Sequence, residues 1–266
     1  MASQLGNKNS DRAKFLRKLT SVDGQRKFGK FICSTKKVVE VALDTVPQSV
    51  EDVYLADAEW KDADFVEKVT AKGVYLHSAL DSALNSIDPN AQGCIAVIKD
   101  YDATEISAVA GRKTSNFSLY CNEIRDPGNL GTLIRLADAF AARNVYVSPA
   151  SISAKNVKVL RASAGSFFHL PIYQNFPALE LLNDDALYTV ASVVDADGTE
   201  NAVDIKQAIS DANGLEIVLF LGNESLGLPH EITDACNAKV NINMPGNAES
   251  LNVAGAGAVL MYLINE

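Results

Sequence analysis

The chain carries no C-x-x-C pair, no metal-ligand spacing among its three histidines, and no apolar run long enough to span a bilayer. Its four cysteines, Cys33, Cys94, Cys121 and Cys236, are scattered, so they read as buried apolar thiols in a reducing compartment rather than zinc ligands or disulfides. His77, His169 and His230 are equally dispersed, and no metal is expected. The N-terminus lacks an apolar signal core, and without a membrane-spanning segment the expected location is cytoplasmic. G-x-G-x-x-G and G-x-S-x-G are both absent, which removes most of the case for hydride transfer and for acyl hydrolysis. Gly222 and Gly227 have the spacing of a phosphate-binding P-loop. Leu228 and Pro229 stand where its Lys and Ser/Thr belong, and Glu224 would repel a phosphate at the loop's centre.

What is present is a chain of 266 residues with 47% hydrophobic and 21% charged side chains, enough for two domains. Its charge is uneven. Residues 1–40 hold ten Lys and Arg against Asp11, Asp23 and Glu40, net +7, while the other 226 residues carry −16. A basic head on an acidic body suits a polyanion bound at one end. Within the head, Phe15, Leu16, Leu19 and Val22 share a face, which predicts an amphipathic helix over 10–22, with residues 1–9 a solvated tail.

Periodicity divides the chain into a small α/β module (1–103), a linker (104–116) and a larger α/β domain (117–266). In the module, helices are expected at 36–43, 62–72 and 79–87, and strands at 52–55, 73–77 and 94–98. In the domain, strands at 117–122, 144–148, 168–173, 187–194, 216–221 and 239–244 alternate with helices near 130–142, 154–164, 177–183, 203–211, 230–236 and 253–265. That alternation argues a mostly parallel sheet with helices on both faces.

Three loops at expected strand ends hold the chemistry. The first, P-G-N-L-G-T-L-I-R (Pro127–Arg135), opens a helix that Asn129 is placed to cap. Gly131 and Arg135 are four apart, so the guanidinium leans back over the glycine toward the loop and suits an anionic ligand; the plain alternative is a surface pair with Asp138. The second, G-N-E-S-L-G-L-P (Gly222–Pro229), follows the most apolar strand and by itself is an ordinary Gly-rich turn. The third, P-G-N-A-E-S-L-N (Pro245–Asn252), leads into V-A-G-A-G-A, with Ser250 or Asn252 as its cap. That Ala/Gly-rich start suits a closely packed neighbour or a partner subunit.

In order, D-P-G-N-L-G-T-L-I-R (Asp126–Arg135), L-G-N-E-S-L-G-L (Leu221–Leu228) and I-N-M-P-G-N-A-E-S-L-N-V (Ile242–Val253) resemble the three motifs of the SpoU family of RNA ribose 2′-O-methyltransferases. Lys158–Pro171 resembles the segment between them, and residues 10–98 more loosely resemble the family's RNA-binding module. Asn243 stands where proline is common, and Phe31–Lys37 lacks the usual Glu-Gly. The resemblance implies a deep trefoil knot, a homodimer joined through the knotted domains, S-adenosylmethionine as cofactor and RNA, ribosomal above transfer RNA, as substrate. It further implies catalytic or ordering roles for Asn129, Arg135, Glu224, Ser250 and Asn252. Leu221, Gly222, Ile242, Met244 and Leu251 are implied at the cofactor and Arg135 at the RNA, while the basic head puts Arg12, Arg17 and Lys18 at the RNA as well. A non-catalytic knotted relative would lack Arg135 or Glu224, and both are present. The acidic body keeps open an unrelated α/β enzyme acting on a small anionic metabolite.

Overall fold

The Ser10 hydroxyl accepts the Ala13 N–H at 3.2 Å and so starts the first helix, α1 (Asp11–Lys18). The computed structural model describes residues 5–107, 113–194 and 202–266. Thr20 and Ser21 turn their hydroxyls back onto the carbonyls of Arg17 and Lys18, and Ser21 then caps α2 (Val22–Phe28). The expected single helix is therefore two. Leu16 and Leu19 are fully buried, but Val22, at the start of α2, is 53% exposed. Leu5 is no loose tail either: its N–H donates to Ser78 O at 2.8 Å and its carbonyl accepts from Leu80 N–H at 3.1 Å.

From there the first unit continues through β1 (Lys30–Ser34), α3 (Lys36–Thr45), β2 (Val50–Ala56), α4 (Ala63–Ala71), β3 (Tyr75–Ala79), α5 (Asp81–Asn85) and β4 (Cys94–Lys99). The strands form one sheet in the order β1-β4-β2-β3, parallel only between β2 and β3. Leu16, Leu19, Ile32, Tyr54 and Ile95 lie in its core.

The second unit opens with α6 (Ala103–Ser107), inside the expected linker, the rest of which lies partly outside the described residues. Then come β5 (Phe117–Cys121), α7 (Pro127–Ala139), β6 (Val145–Val147), α8 (Val157–Ala162), β7 (Ile172–Gln174), α9 (Ala178–Leu182), β8 (Leu187–Ser192), α10 (Ile205–Asp211), β9 (Glu216–Leu221), α11 (His230–Ala235), β10 (Ala238–Val240) and α12 (Val253–Asn265). Six strands pair in the order β10-β8-β9-β5-β6-β7, every neighbour parallel. Phe117–Cys121 is buried throughout, as a strand covered on both faces must be. Five of the six strands are shorter than expected, two of them by half. Ser166–Phe168 is a 3-10 turn ahead of β7, and β10 ends at Val240, leaving 241–244 as loop.

Chain order reverses between β5 and β9, which lie side by side with Cys121 opposite Leu221. Loops leaving the carboxyl ends of two such strands form the ligand crevice of an open parallel sheet. The first two motif loops leave from these ends. Over them α12 packs on α7 at Gly257, where a Cβ would sit 2.7 Å from Leu133 Cδ2 and 2.9 Å from Leu221 Cδ1.

Residues 155–169, with α8, cluster with the first unit although they lie between β6 and β7 in sequence. Their anchor is a buried ion pair. Arg161 donates to the Asp88 carboxylate, which also accepts from Ser34 Oγ at 2.6 Å and from the Asn90 N–H at 3.1 Å. Asp88 is 3% exposed, so its charge depends on these donors. Arg161→Ala leaves a buried carboxylate without its cation and lowers stability by roughly 3 kcal/mol, read as a shift in the urea unfolding midpoint; an unchanged midpoint would show that the pair holds nothing.

Candidate functional site

Asp126, and not Asn129, caps α7: its Oδ1 accepts the Asn129 N–H at 2.8 Å. An aspartate followed by proline at the first helical position is the stronger start signal, since proline's missing N–H needs no partner there. The Asn129 side chain is thereby free for other work. Its Nδ2 donates to Glu224 Oε1 at 2.8 Å, and its Oδ1 accepts from Asn252 Nδ2 at 3.0 Å. Asn252 Oδ1 accepts the Ala254 N–H at 2.9 Å and caps α12. One amide therefore joins all three motif loops, and because its donor and acceptor ends differ, each neighbour's role is set.

The loop bases are pinned independently. Asn122 N–H donates to Leu221 O, and the Glu123 and Ile124 N–H groups donate to Ser148 Oγ and Ser151 Oγ at 2.9 and 3.0 Å. Asn223 reaches back with its Nδ2 to Glu123 O at 2.9 Å, while its backbone closes a turn on Gly227. That turn needs Gly222. A Cβ there would lie 2.3–2.5 Å from the Gly227 and Leu228 backbone, so no side chain fits.

A cleft of about 640 Å³ opens beside this turn. Of the residues singled out in the sequence, it is lined by Leu221, Gly222, Glu224, Ser250 and Leu251. Ile242, Met244 and Leu251 line a separate hollow of about 40 Å³ with Ser192, Val193 and Val194. Asn129 and Asn252 do not line the cleft themselves and act on it through Glu224 and the α12 cap. Arg135 does not line the cleft; it is exposed and makes no hydrogen bond or ion pair among the described residues, Asp138 included. In the first unit, Arg12 pairs with Asp52 at 2.6 Å and with the Tyr54 hydroxyl, and Arg17 donates to Ser86 Oγ at 3.1 Å. Lys18 is exposed and has no partner among the described residues.

Sequence reading overlooked Ser192–Val194, Lys239 and Glu249, all of which face the cleft. The first three lie at the end of β8 and just beyond it, and the carboxyl end of a parallel strand beside the crevice was the available signal. Glu224, Glu249 and Asp234 give the cleft a negative lining; Lys239 answers Asp234 at 2.6 Å and holds its carboxyl below the usual carboxylate range. Backbone-rich walls with carboxylates at the rim suit a ligand bearing a positive centre. Burial pushes the Cys33 and Cys121 thiols up to about 12, away from any nucleophilic role. Among the described residues no cluster of His, Cys, Asp or Glu could hold a metal, and no helix is long and apolar enough to cross a membrane.

The model of the SpoU rRNA Methylase family matches residues 116–262. The chain is 27% identical over 220 residues to the 23S rRNA (guanosine(2553)-2′-O)-methyltransferase RlmP of Bacillus subtilis, covering 80% of this chain and 86% of that protein. It is 25% identical to the 23S rRNA (guanosine-2′-O-)-methyltransferase RlmB of Coxiella burnetii, covering 84% and 90%. In fold it resembles the AdoMet-bound rRNA methyltransferase of Sinorhizobium meliloti, with a TM-score of 0.79 at 22% identity over 99% of this chain and 97% of that one.

Asn129→Ala cuts two hydrogen bonds at once. Roughly 1–2 kcal/mol of local stability is then lost, and amide exchange at Ser225–Gly227 and Ala254–Ala256 speeds up about tenfold while the sheet amides stay protected. Unchanged exchange at both places would mean that the loops hold themselves.

Proposed function

Because the chain belongs to the SpoU rRNA Methylase family, we propose that it transfers a methyl group from S-adenosylmethionine to a ribose 2′-hydroxyl of RNA, with ribosomal RNA as substrate. One observation carries this reading: the Glu224–Asn129–Asn252 chain, which holds three loops around a ligand-sized cleft at the sheet's crevice. The relatives named as 23S rRNA methyltransferases, matched over most of both chains, support the substrate class. With no helix able to span a membrane among the described residues, we place the reaction in the cytoplasm.

The residues present fit the cofactor. Leu221, Gly222 and Leu251 offer backbone groups and a side-chain-free approach, Ile242 and Met244 an apolar recess, and Glu224 and Glu249 a negative field for a sulfonium. When bound, S-adenosylmethionine supplies an electrophilic methyl on a leaving group that departs neutral. The chain's task is then to hold a ribose hydroxyl in line and to manage its proton. Ser250, which lines the cleft and has no hydrogen-bond partner for its hydroxyl among the described residues, orients the ribose. Negative charge growing on the ribose oxygen calls for a fixed cation, and Arg135 supplies it. A guanidinium has donors only and no acceptor site, so it does not serve as the base as well. Glu224 bonds Asn129 through Oε1, its other oxygen has no partner among the described residues, and it accepts the proton through water.

Arg135 is absent from its own chain's cleft, which supports reading the active enzyme as a dimer. Thr132 and Arg135 lie on the exposed side of α7, and Gly255, Val259 and Tyr262 on that of α12, with Tyr262 touching Phe140. A second copy seated on this face covers Val259 and Tyr262 and brings each Arg135 to its partner's cleft. In the same reading the C-terminal segment, which carries the second and third loops, is threaded as a trefoil knot.

Arg135→Ala is expected to lower methyl transfer, followed with tritiated cofactor, by roughly 10²-fold or more. Calorimetric affinity for S-adenosylhomocysteine should stay within about twofold, since the arginine acts on the transition state. A near-normal rate removes the assignment. Mixing Arg135→Ala with Glu224→Ala subunits restores about a quarter of wild-type activity when the arginine acts across a twofold interface, because half the dimers then hold one intact site. No recovery at all would mean that it acts within its own chain.

A further inference from the structure

Tyr75 opens β3 and is 73% exposed, the most exposed aromatic ring among the described residues. Among the described residues it has no ring neighbour and no hydrogen bond. In the parallel register its partner is Asp52, so both side chains stand on one face of the sheet. The Asp52 carboxylate accepts from Arg12 Nη2 at 2.6 Å and meets His77 Nε2 at 2.7 Å, and the His77 ring stacks on Tyr54 at 4.8 Å. Arg12 Nε donates to the Tyr54 hydroxyl, and its guanidinium lies 5.5 Å over both the Phe15 and Tyr54 rings. Its Nη1 makes no hydrogen bond among the described residues, on a side chain 41% exposed. The sheet thus presents an exposed aromatic ring at Tyr75, and its register partner Asp52 holds a guanidinium whose Nη1 N–H groups remain available.

The surrounding charge selects the occupant. Lys8, Lys14 and Lys18 are exposed on the adjoining segment, against Asp11 alone on α1, within the part of the chain that is net +7. An exposed tyrosine beside a guanidinium in a basic field matches the way unpaired nucleotides are held, base on ring and phosphate on cation. We propose that Tyr75 is a stacking platform for an unpaired base of the RNA substrate, with Arg12 Nη1 donating to a neighbouring phosphate. The inference rests on RNA being the substrate, and it adds that the first unit grips single-stranded rather than duplex RNA.

The test is fluorescence anisotropy of the full-length protein with labelled oligoadenylate, single-stranded and as a duplex with oligouridylate, over a range of salt. Stacking is uncharged, so Tyr75→Ala should weaken single-strand binding about tenfold at every salt concentration with an unchanged salt slope. Tyr75→Phe and Tyr75→Trp should bind as wild type, and duplex binding should not respond. Lys14→Gln with Lys18→Gln should instead flatten the slope. Wild-type binding to RNA that Tyr75→Ala leaves intact, or reduces equally for duplex, overturns the stacking role, and a protein partner that only the wild type retains would then claim the ring. If the wild type binds neither RNA, the RNA substrate itself fails, and the platform with it.

Discussion

The second unit depends on where one primary amide points. Asn129 gives its N–H to a carboxylate on one loop and takes an N–H from an amide on another, so loops from residues 129, 224 and 252 are joined by two short bonds. A residue with only donors or only acceptors cannot do this, because Glu224 must accept while Asn252 has already spent its oxygen on the α12 backbone. The arrangement runs one way, from the first turn of α12 to Glu224 at the cleft. Loops carry little stability of their own, and a ligand site built from three of them needs such a tie to keep its shape.

The tie works because the sheet has already done most of the positioning. β5 and β9 are paired with their carboxyl ends level, so two of the loops start as neighbours. The third reaches the same place because α12 lies against α7, at the contact that only a glycine at 257 leaves open. Small residues in that helix therefore serve packing inside the chain, while Val259 and Tyr262 on its other side remain uncovered. The same helix pair supports both the site and the face on which a second copy is proposed to dock.

The first unit meets its charge differently. Much of its basic excess is tied to acidic partners: Arg12 to Asp52, Lys36 to Glu59 and Asp62, Arg161 to Asp88. Exposed pairs of this kind add little stability but fix geometry, whereas the buried Arg161–Asp88 pair cannot lose either member cheaply. Through that pair, a stretch that sequence order assigns to the larger domain becomes part of the smaller unit's packing.

The alternation of apolar runs with amphipathic stretches was enough to locate the six strands and six helices of 117–266 and to argue a parallel sheet, since a strand covered on both faces must be apolar throughout. The three loops were legible for the same reason: glycine, proline and asparagine are confined to the few backbone shapes they permit. Local pattern could not decide which of two possible caps each helix uses, because Asp126 and Asn129 both offer an acceptor at the right place. It could not separate a strand from a 3-10 turn at Ser166–Phe168, nor place Ser192–Val194 at the cleft, because burial there is decided by distant segments. Arg135 is the sharpest case. Its residue type and its spacing from Gly131 are properties of the chain, whereas its absence from its own cleft follows from how α7 and α12 pack, which no local window contains.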